Sequence, residues 1–248
     1  MYPEQPPGNG EPLLRIEALV KRFGGFRALD GLTFDLMPGE IVGLVGPNGS
    51  GKTTCINVIS GLYSPDGGDV IYHGRPISGM PSHRLVQIGI NRTFQVPKPF
   101  PTLTASENVR VAAAHGRCDC TAVDVDALLA SFELDCYAGR PAAELNAGQQ
   151  KMLDLARALA TGPSLLCIDE LAAGLNPAEL VRVAERLREL ARSGITLLVV
   201  EHLMGFIDQV TDRVIVLNAG RGIFEGPLRG AVTDPKVIEV FLGTENGD

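Results

Sequence analysis

The octapeptide GPNGSGKT, Gly46–Thr53, carries the residue types that grip a chain of phosphates. Its glycines allow backbone angles and a closeness of approach that side chains would block. Backbone N–H groups then wrap a β-phosphate, and a helix opening behind them adds favourable potential. Lys52 reaches the β- and γ-phosphates as a point charge, and the Thr53 hydroxyl suits Mg²⁺. Farther along, LLCIDE (Leu165–Glu170) is an apolar run ending in two acids. Beside a phosphate-binding loop, Asp169 would hold the Mg²⁺ shell and Glu170 would polarise an attacking water as general base.

Two more polar residues close apolar runs. Gln95 ends GINRTFQ, and its neutral amide suits Mg²⁺ or the attacking water. His202 ends TLLVVEH, where it would contact the γ-phosphate and hold Glu170 in position. Phe23, in KRFGGFRAL, offers a ring to stack on adenine; Phe26 is its rival, and burial in the core is the competing role. A second anion-binding element opens AELNAGQQKMLDLARALA, Ala143–Ala160. Asn146, Ala147 and Gly148 are small or turn-forming, and Asn146 suits a helix cap. A helix started this way points N–H groups and partial positive charge outward. One chain therefore carries two anion sites.

These residues need a scaffold that brings them to one edge. From Leu13 to about Leu36, alternating apolar and polar residues predict strands of an antiparallel sheet. EIVGLVG suits a strand buried on both faces of a parallel sheet, followed by a helix from about Lys52 to Ser60. DVIYHG reads as an edge-type strand and QIGINRTFQ as a strand ending in a polar loop. TASENVRVAAAHG and DVDALLASFEL read as helices of an inserted segment. Met152, Leu153, Leu155, Ala156 and Leu159 then recur at helical spacing. The strand SLLCID, a helix over Pro177 to Arg192, the strand ITLLVV, a short helix after His202 and the strand RVIVLN follow. A turn-rich tail and a last helix near Pro235 to Leu242 close the chain. The expected fold is α/β: a P-loop NTPase core with a parallel sheet, an N-terminal antiparallel β subdomain and an inserted α-helical subdomain. The boundaries are a disordered leader over 1–12, a core over 13–96 and 143–248, and the helical insertion over 97–142.

Composition narrows the partners. The net charge of −7 and the lack of a basic stripe exclude nucleic acid as the main partner. The five cysteines, Cys55, Cys118, Cys120, Cys136 and Cys167, are odd in number and irregular in spacing, which points to a reducing compartment. His115, Cys118, Cys120 and Cys136 do not match zinc-site spacing. MYPEQPPGNGEP has neither the basic nor the apolar region of a signal peptide. Runs such as ITLLVV fall far short of the roughly 20 residues a membrane span needs, so a soluble chain that meets the membrane through a partner is expected.

In their order and spacing, Gly46–Thr53, Gln95, LNAGQ, LLCIDE, AGLNP and His202 resemble the ATPase subunits of ABC transporters, from about Leu13 to Gly243. The pieces GINRTFQ, AAGLNP and EGPLRGAVTDPKVIEVFLG are similar to Liv-type subunits of branched-chain and hydrophobic amino-acid importers. Subunits for urea or amide import and for lipopolysaccharide export share parts of this pattern. The resemblance implies ATP and Mg²⁺ as cofactors. It implies that Phe23, Gly46, Pro47, Asn48, Gly49, Ser50, Gly51, Lys52, Thr53 and Thr54 surround the nucleotide. Thr53, Gln95 and Asp169 would serve the metal, and Glu170, His202 and Gln95 catalysis.

In that family two ATPase domains pair head to tail, with each ATP between the P-loop of one and the signature motif of the other. Asn146, Ala147, Gly148 and Gln149 would then serve the partner's nucleotide, which accounts for the second anion site. The implied partners are membrane-spanning permease subunits meeting the region Val96 to Thr104, a second ATPase subunit (a heterologous sister or a second copy), and indirectly a solute-binding protein. The implied location is peripheral, on the cytoplasmic face of the inner membrane. Asn146 stands where the family usually has serine, Ala147 for glycine, Leu171 for proline and Leu203 for aspartate; none of these removes a catalytic group. Non-transport ABC switches usually carry two cassettes, and this chain has one P-loop. A P-loop nucleotide kinase would leave LNAGQ and His202 unexplained.

Overall fold

The computed structural model describes residues 10–117 and 123–242. The leader predicted over 1–12 lies almost wholly outside that range, as do Cys118 and Cys120. Strands β1 (Leu14–Phe23) and β2 (Phe26–Leu36) form a hairpin, and β3 (Ile41–Val45) leads into helix α1 (Lys52–Ile59). Next come β4 (Gly67–Tyr72), the two-residue β5 (Arg75–Pro76), α2 (Ser82–Gln87) and β6 (Ile90–Arg92). Helices α3 (Ala105–Ala114) and α4 (Val125–Ala130) precede α5 (Ala147–Ala160) and β7 (Leu165–Asp169). The chain continues through α6 (Pro177–Arg192), β8 (Thr196–Val200), α7 (Met204–Val210), β9 (Arg213–Asn218) and β10 (Arg221–Gly226). It ends in α8 (Leu228–Ala231) and α9 (Pro235–Leu242).

Two sheets result. One is antiparallel in the order β2-β1-β4-β5; the other runs β10-β9-β3-β8-β7-β6 and is parallel except for β10. Strands β3, β7 and β8 are buried along their whole length, because both faces of this sheet are covered. The period of two divides them between two cores. Leu165, Cys167, Leu198 and Val200 pack with Cys55, Ile56 and Ile59 of α1 and with the antiparallel sheet. Leu166, Ile168, Leu197 and Val199 pack with Leu153 and Leu155 of α5 and Leu187 of α6. Each fully buried leucine or isoleucine contributes about 1.5–3 kcal/mol relative to exposure.

Three helices open with the same device. Thr104 with Glu107, Asn146 with Gln149, and Asn176 with Glu179 exchange side-chain-to-backbone hydrogen bonds across the first turn of α3, α5 and α6. Helices α3 and α4 pack against α5 in the segment expected as a helical insertion.

The structure corrects several boundaries. The tail after RVIVLN is a strand, β10, which pairs antiparallel with β9 through a two-residue turn. Ala219 and Gly220 take positive φ angles of 46° and 78° there, the geometry a tight hairpin requires. The strand in QIGINRTFQ is only Ile90–Arg92, and TLLVVEH is paired only through Val200; Gln95 and His202 sit in the loops beyond. DVIYHG is not an edge, since β4 lies between β1 and β5. Helix α2, with Leu85 its only buried residue, and the four-residue α8 carry too little periodicity to be read from sequence.

Candidate functional site

The parallel register sets the site. Leu44 pairs with Val200, and Val200 with Asp169, so three strands end level. Gly46, Glu170 and His202 therefore leave one sheet edge together, and the loop after β6 joins them.

At the end of β3 the chain turns tightly into α1. Gly46 has φ 149°, and a Cβ there would lie 2.2 Å from the Leu217 carbonyl oxygen. Gly51 has φ 110°, and its Cβ would lie 2.5 Å from the Ala28 oxygen. Both glycines are thus required by packing as well as by backbone angle. The buried Lys52 ammonium curls back onto its own loop, donating to the carbonyls of Gly46 (2.8 Å) and Pro47 (2.9 Å). Burial lowers its pKa, with Glu170 and Asp169 opposing the shift, which places both carboxylates within electrostatic reach of the loop.

Asp169 is 2% exposed. One of its oxygens meets Arg92 Nη2 at 3.3 Å, while Oδ1 makes no hydrogen bond within the protein. Ser50 Oγ, in the P-loop, is likewise buried and unbonded. Two oxygens taken from water without replacement are costly unless a ligand completes them. An oxygen-seeking cation with a phosphate chain fits this pair.

Glu170 adopts φ 51°, rare for a residue with a side chain. Its carboxylate is gripped from both sides: Gln95 Nε2 donates to Oε2 at 2.5 Å, and His202 Nε2 contacts Oε1 at 2.9 Å. The three catalytic candidates, from the loops after β6, β7 and β8, thus form one cluster. Thr53 and Thr54 lie in the first turn of α1, and Pro47, Asn48 and Gly49 complete the loop.

Phe23 is not a core residue. It is 44% exposed, with the edge of Tyr63 against it at 5.2 Å; Phe26, its rival, is 61% exposed. Asn146 accepts from the Gln149 backbone and makes no bond to the P-loop. Asn146, Gly148 and Gln149 instead border a cavity of about 220 Å³ shared with Phe132, Glu179 and Arg182. A Cβ at Gly148 would meet only ordinary contacts, none closer than 3.5 Å. Nothing inside this chain demands glycine there.

Sequence reasoning missed three charged residues. Arg92 pairs with Asp169 and donates to the Asn57 side chain. Lys151 and Glu201 bind the loop after Glu170. Their signal was a charge inside or beside an apolar run, which becomes meaningful only when the facing residue is known. Cys167 is buried with its thiol pushed up to about 12, and burial also raises Cys55, so both are inert packing groups. Among the described residues no group of His, Cys, Asp and Glu forms a metal cage, and no helix is long and apolar enough to cross a membrane.

The family described as ABC transporter matches residues 29–173. A protein of Archaeoglobus fulgidus, named a probable branched-chain amino acid transport ATP-binding protein LivG, is 35% identical over 250 residues, covering 95% of this chain and 97% of its own. The ADP conformation of an ATP-binding cassette, MJ1267, superposes with a TM-score of 0.83 at 32% identity, covering 94% of this chain and 99% of that one. A dimeric post-hydrolysis cassette, MJ0796 bound to ADP and Pi, gives 0.79 at 27% identity, covering 88% and 99%. This chain belongs to the ABC transporter family as an ATP-binding, ATP-hydrolysing subunit.

Proposed function

We propose that this subunit hydrolyses ATP with Mg²⁺ at the interface of a head-to-tail ATPase dimer, and so powers import of branched-chain or other hydrophobic amino acids. The observation that carries the reading is the Glu170 carboxylate held between Gln95 and His202, level with Asp169 and the P-loop. A carboxylate fixed on both sides keeps one orientation for accepting a proton from water, so less entropy is lost at the moment of reaction. The His202 N–H, bonded to Glu170 Oε1, supports the negative charge until the proton arrives. Lys52 releases two loop carbonyls to bind phosphate oxygens. Thr53, Gln95 and Asp169 would hold Mg²⁺, which neutralises charge on the phosphates when bound.

Asn146, Ala147, Gly148 and Gln149 serve the nucleotide of the partner. Support comes from their separation from the P-loop and from the open approach at Gly148. The solute class rests on the name of the Archaeoglobus relative. Permease subunits would dock near the exposed Phe94, Val96 and Phe100, on the cytoplasmic face of the membrane. Sizing of Glu170→Gln with and without Mg-ATP tests the interface. An ATP-dependent shift to a dimer supports self-pairing, and bound ATP without a shift assigns the partner's place to a sister subunit. Labelled leucine uptake in cells with wild type or Glu170→Gln tests the solute.

A further inference from the structure

Helix α5 touches more of the site than its role as a signature helix requires. Lys151, in its second turn, sends its ammonium into the loop that follows Glu170. There it donates to three carbonyls: Glu170 (3.0 Å), Leu171 (3.1 Å) and Ala173 (2.5 Å). From the opposite side, Glu201 is 2% exposed and accepts the Ala172 N–H on Oε1 at 2.6 Å. A fifth bond, from the Glu170 N–H to Val200 O at 2.9 Å, completes the hold. Four successive residues, from 170 to 173, are thus bound by one lysine, one carboxylate and one strand.

We infer that Lys151 and Glu201 are positioning residues that hold Glu170 in its unfavourable backbone angle, and that Lys151 ties this catalytic loop to the signature helix. The inference rests on the assignment of Glu170 as the base.

Three observations support it. Glu170 takes φ 51°, and a residue in that region stays there only when its surroundings fix it. Leu171 follows, with no ring to fix its own φ, and Lys151 holds its carbonyl at 3.1 Å. Finally, Lys151 lies on a shared stripe with Asp154 and Arg157, spaced by three. Asp154 accepts the Phe94 N–H at 3.2 Å, and Arg157 donates to the Lys98 carbonyl at 2.9 Å. One face of α5 therefore grips both the loop carrying Gln95 and the loop carrying Glu170, while its capped N-terminus presents Asn146 and Gly148. A helix moves as a unit, so a nucleotide seated by a partner at that N-terminus shifts the two loops that position this chain's own base. The charged donor is essential to the device, because one ammonium satisfies three carbonyls at once.

The test is amide hydrogen exchange of the full chain, followed by mass spectrometry, for wild type, Lys151→Met and Lys151→Arg. The expected result for Lys151→Met is exchange about ten- to a hundredfold faster at the bonded amides within residues 170–173, those of Glu170 and Ala172, because the loop opens more readily once its carbonyls lose a charged donor. Exchange in β8 should stay unchanged, as should ATP affinity, because the P-loop is built without Lys151; the melting temperature should fall slightly, because three carbonyls lose their donor. Lys151→Arg should restore part of the protection. Unchanged exchange at 170–173 would overturn the inference, as would an equal rise through β7 and β8, which marks a general packing role. Should Lys151→Met not fold, Lys151→Gln gives the same comparison with the charge removed. Turnover by Glu170→Gln separates the two levels: retained turnover overturns the base assignment, while the exchange result reports on the clamp alone.

Discussion

His202 stands 2.9 Å from Glu170 although 32 residues of chain separate them. Two parallel strands ending level bring them together, and no local sequence feature does. Gln95 reaches the other oxygen of the same carboxylate from 75 residues away. The Glu170 carboxylate is therefore oriented by two loops that belong to different parts of the chain, and each partner can be removed separately.

Replacing Glu170 by glutamine removes the proton acceptor and leaves the shape. Turnover should fall by about 10²–10⁴-fold, the usual worth of a general base. ATP binding should survive, since the P-loop is untouched. Single-turnover hydrolysis beside a direct binding measurement checks both. His202→Ala should cost less, because it orients the base without accepting the proton.

Lys52→Ala should weaken nucleotide binding. The ammonium supplies the charge that meets the phosphates, and alanine cannot replace it. Calorimetric titration with ATP should show an affinity at least about tenfold weaker. The two loop carbonyls now bonded to Lys52 also lose their donor, so a small drop in melting temperature should accompany it.

Gly148→Ala separates this chain's needs from those of its partner. A Cβ there meets ordinary contacts only, so the melting temperature and intrinsic ATP affinity should hold. If Gly148 meets the partner's nucleotide as proposed, the added methyl group should weaken ATP-driven pairing in the Glu170→Gln background. Sizing with Mg-ATP, using whichever ATPase partner completes the dimer, reads the effect.

Asn146→Ala removes the side chain that caps α5. The expected loss is about 1 kcal/mol of stability, measured by urea unfolding. Affinity of the isolated chain for ATP should be unchanged, since Asn146 makes no bond to the P-loop. A large loss of affinity would contradict its role toward the partner.

Asp30 gives a pH signature. Hydrogen bonds from Arg221 and then Arg27 hold its carboxyl below the ordinary range. A group depressed in the folded state stabilises it above the unfolded pKa, and that contribution is lost as pH falls through the folded one. Wild type should therefore lose its advantage over Asp30→Asn as pH falls below about 4, the ordinary carboxyl value. Urea midpoints for both chains across that range check the sign.

The P-loop was legible because its chemistry is contiguous: glycines, a lysine and a threonine sit within eight residues, directly between an apolar strand and a helix. The paired acids Asp169 and Glu170 were legible as polar residues ending a buried strand. Gln95 and His202 were placed by the same logic, although both proved to lie two or three residues beyond their strands. Strand β10 was hidden because its turn uses an alanine at positive φ rather than a typical turn pair. Arg92, Lys151 and Glu201 were hidden because a charge near an apolar run has no meaning without the group it faces, which is Asp169 for Arg92 and loop backbone for the other two.

Sequence by itself determined which groups exist and the local structures that present them. Apolar periods of two and 3.6 set the strands and helices, and short-range spacing set the phosphate loop and the helix caps. Only the tertiary structure decided how those groups meet. The register Leu44–Val200–Asp169 puts three strand ends level and closes Glu170 between Gln95 and His202. The fold also turns Lys151 inward onto the carbonyls of the Glu170 loop. Pairing between strands far apart in sequence depends on how whole faces pack, and the residues of a single segment do not encode it.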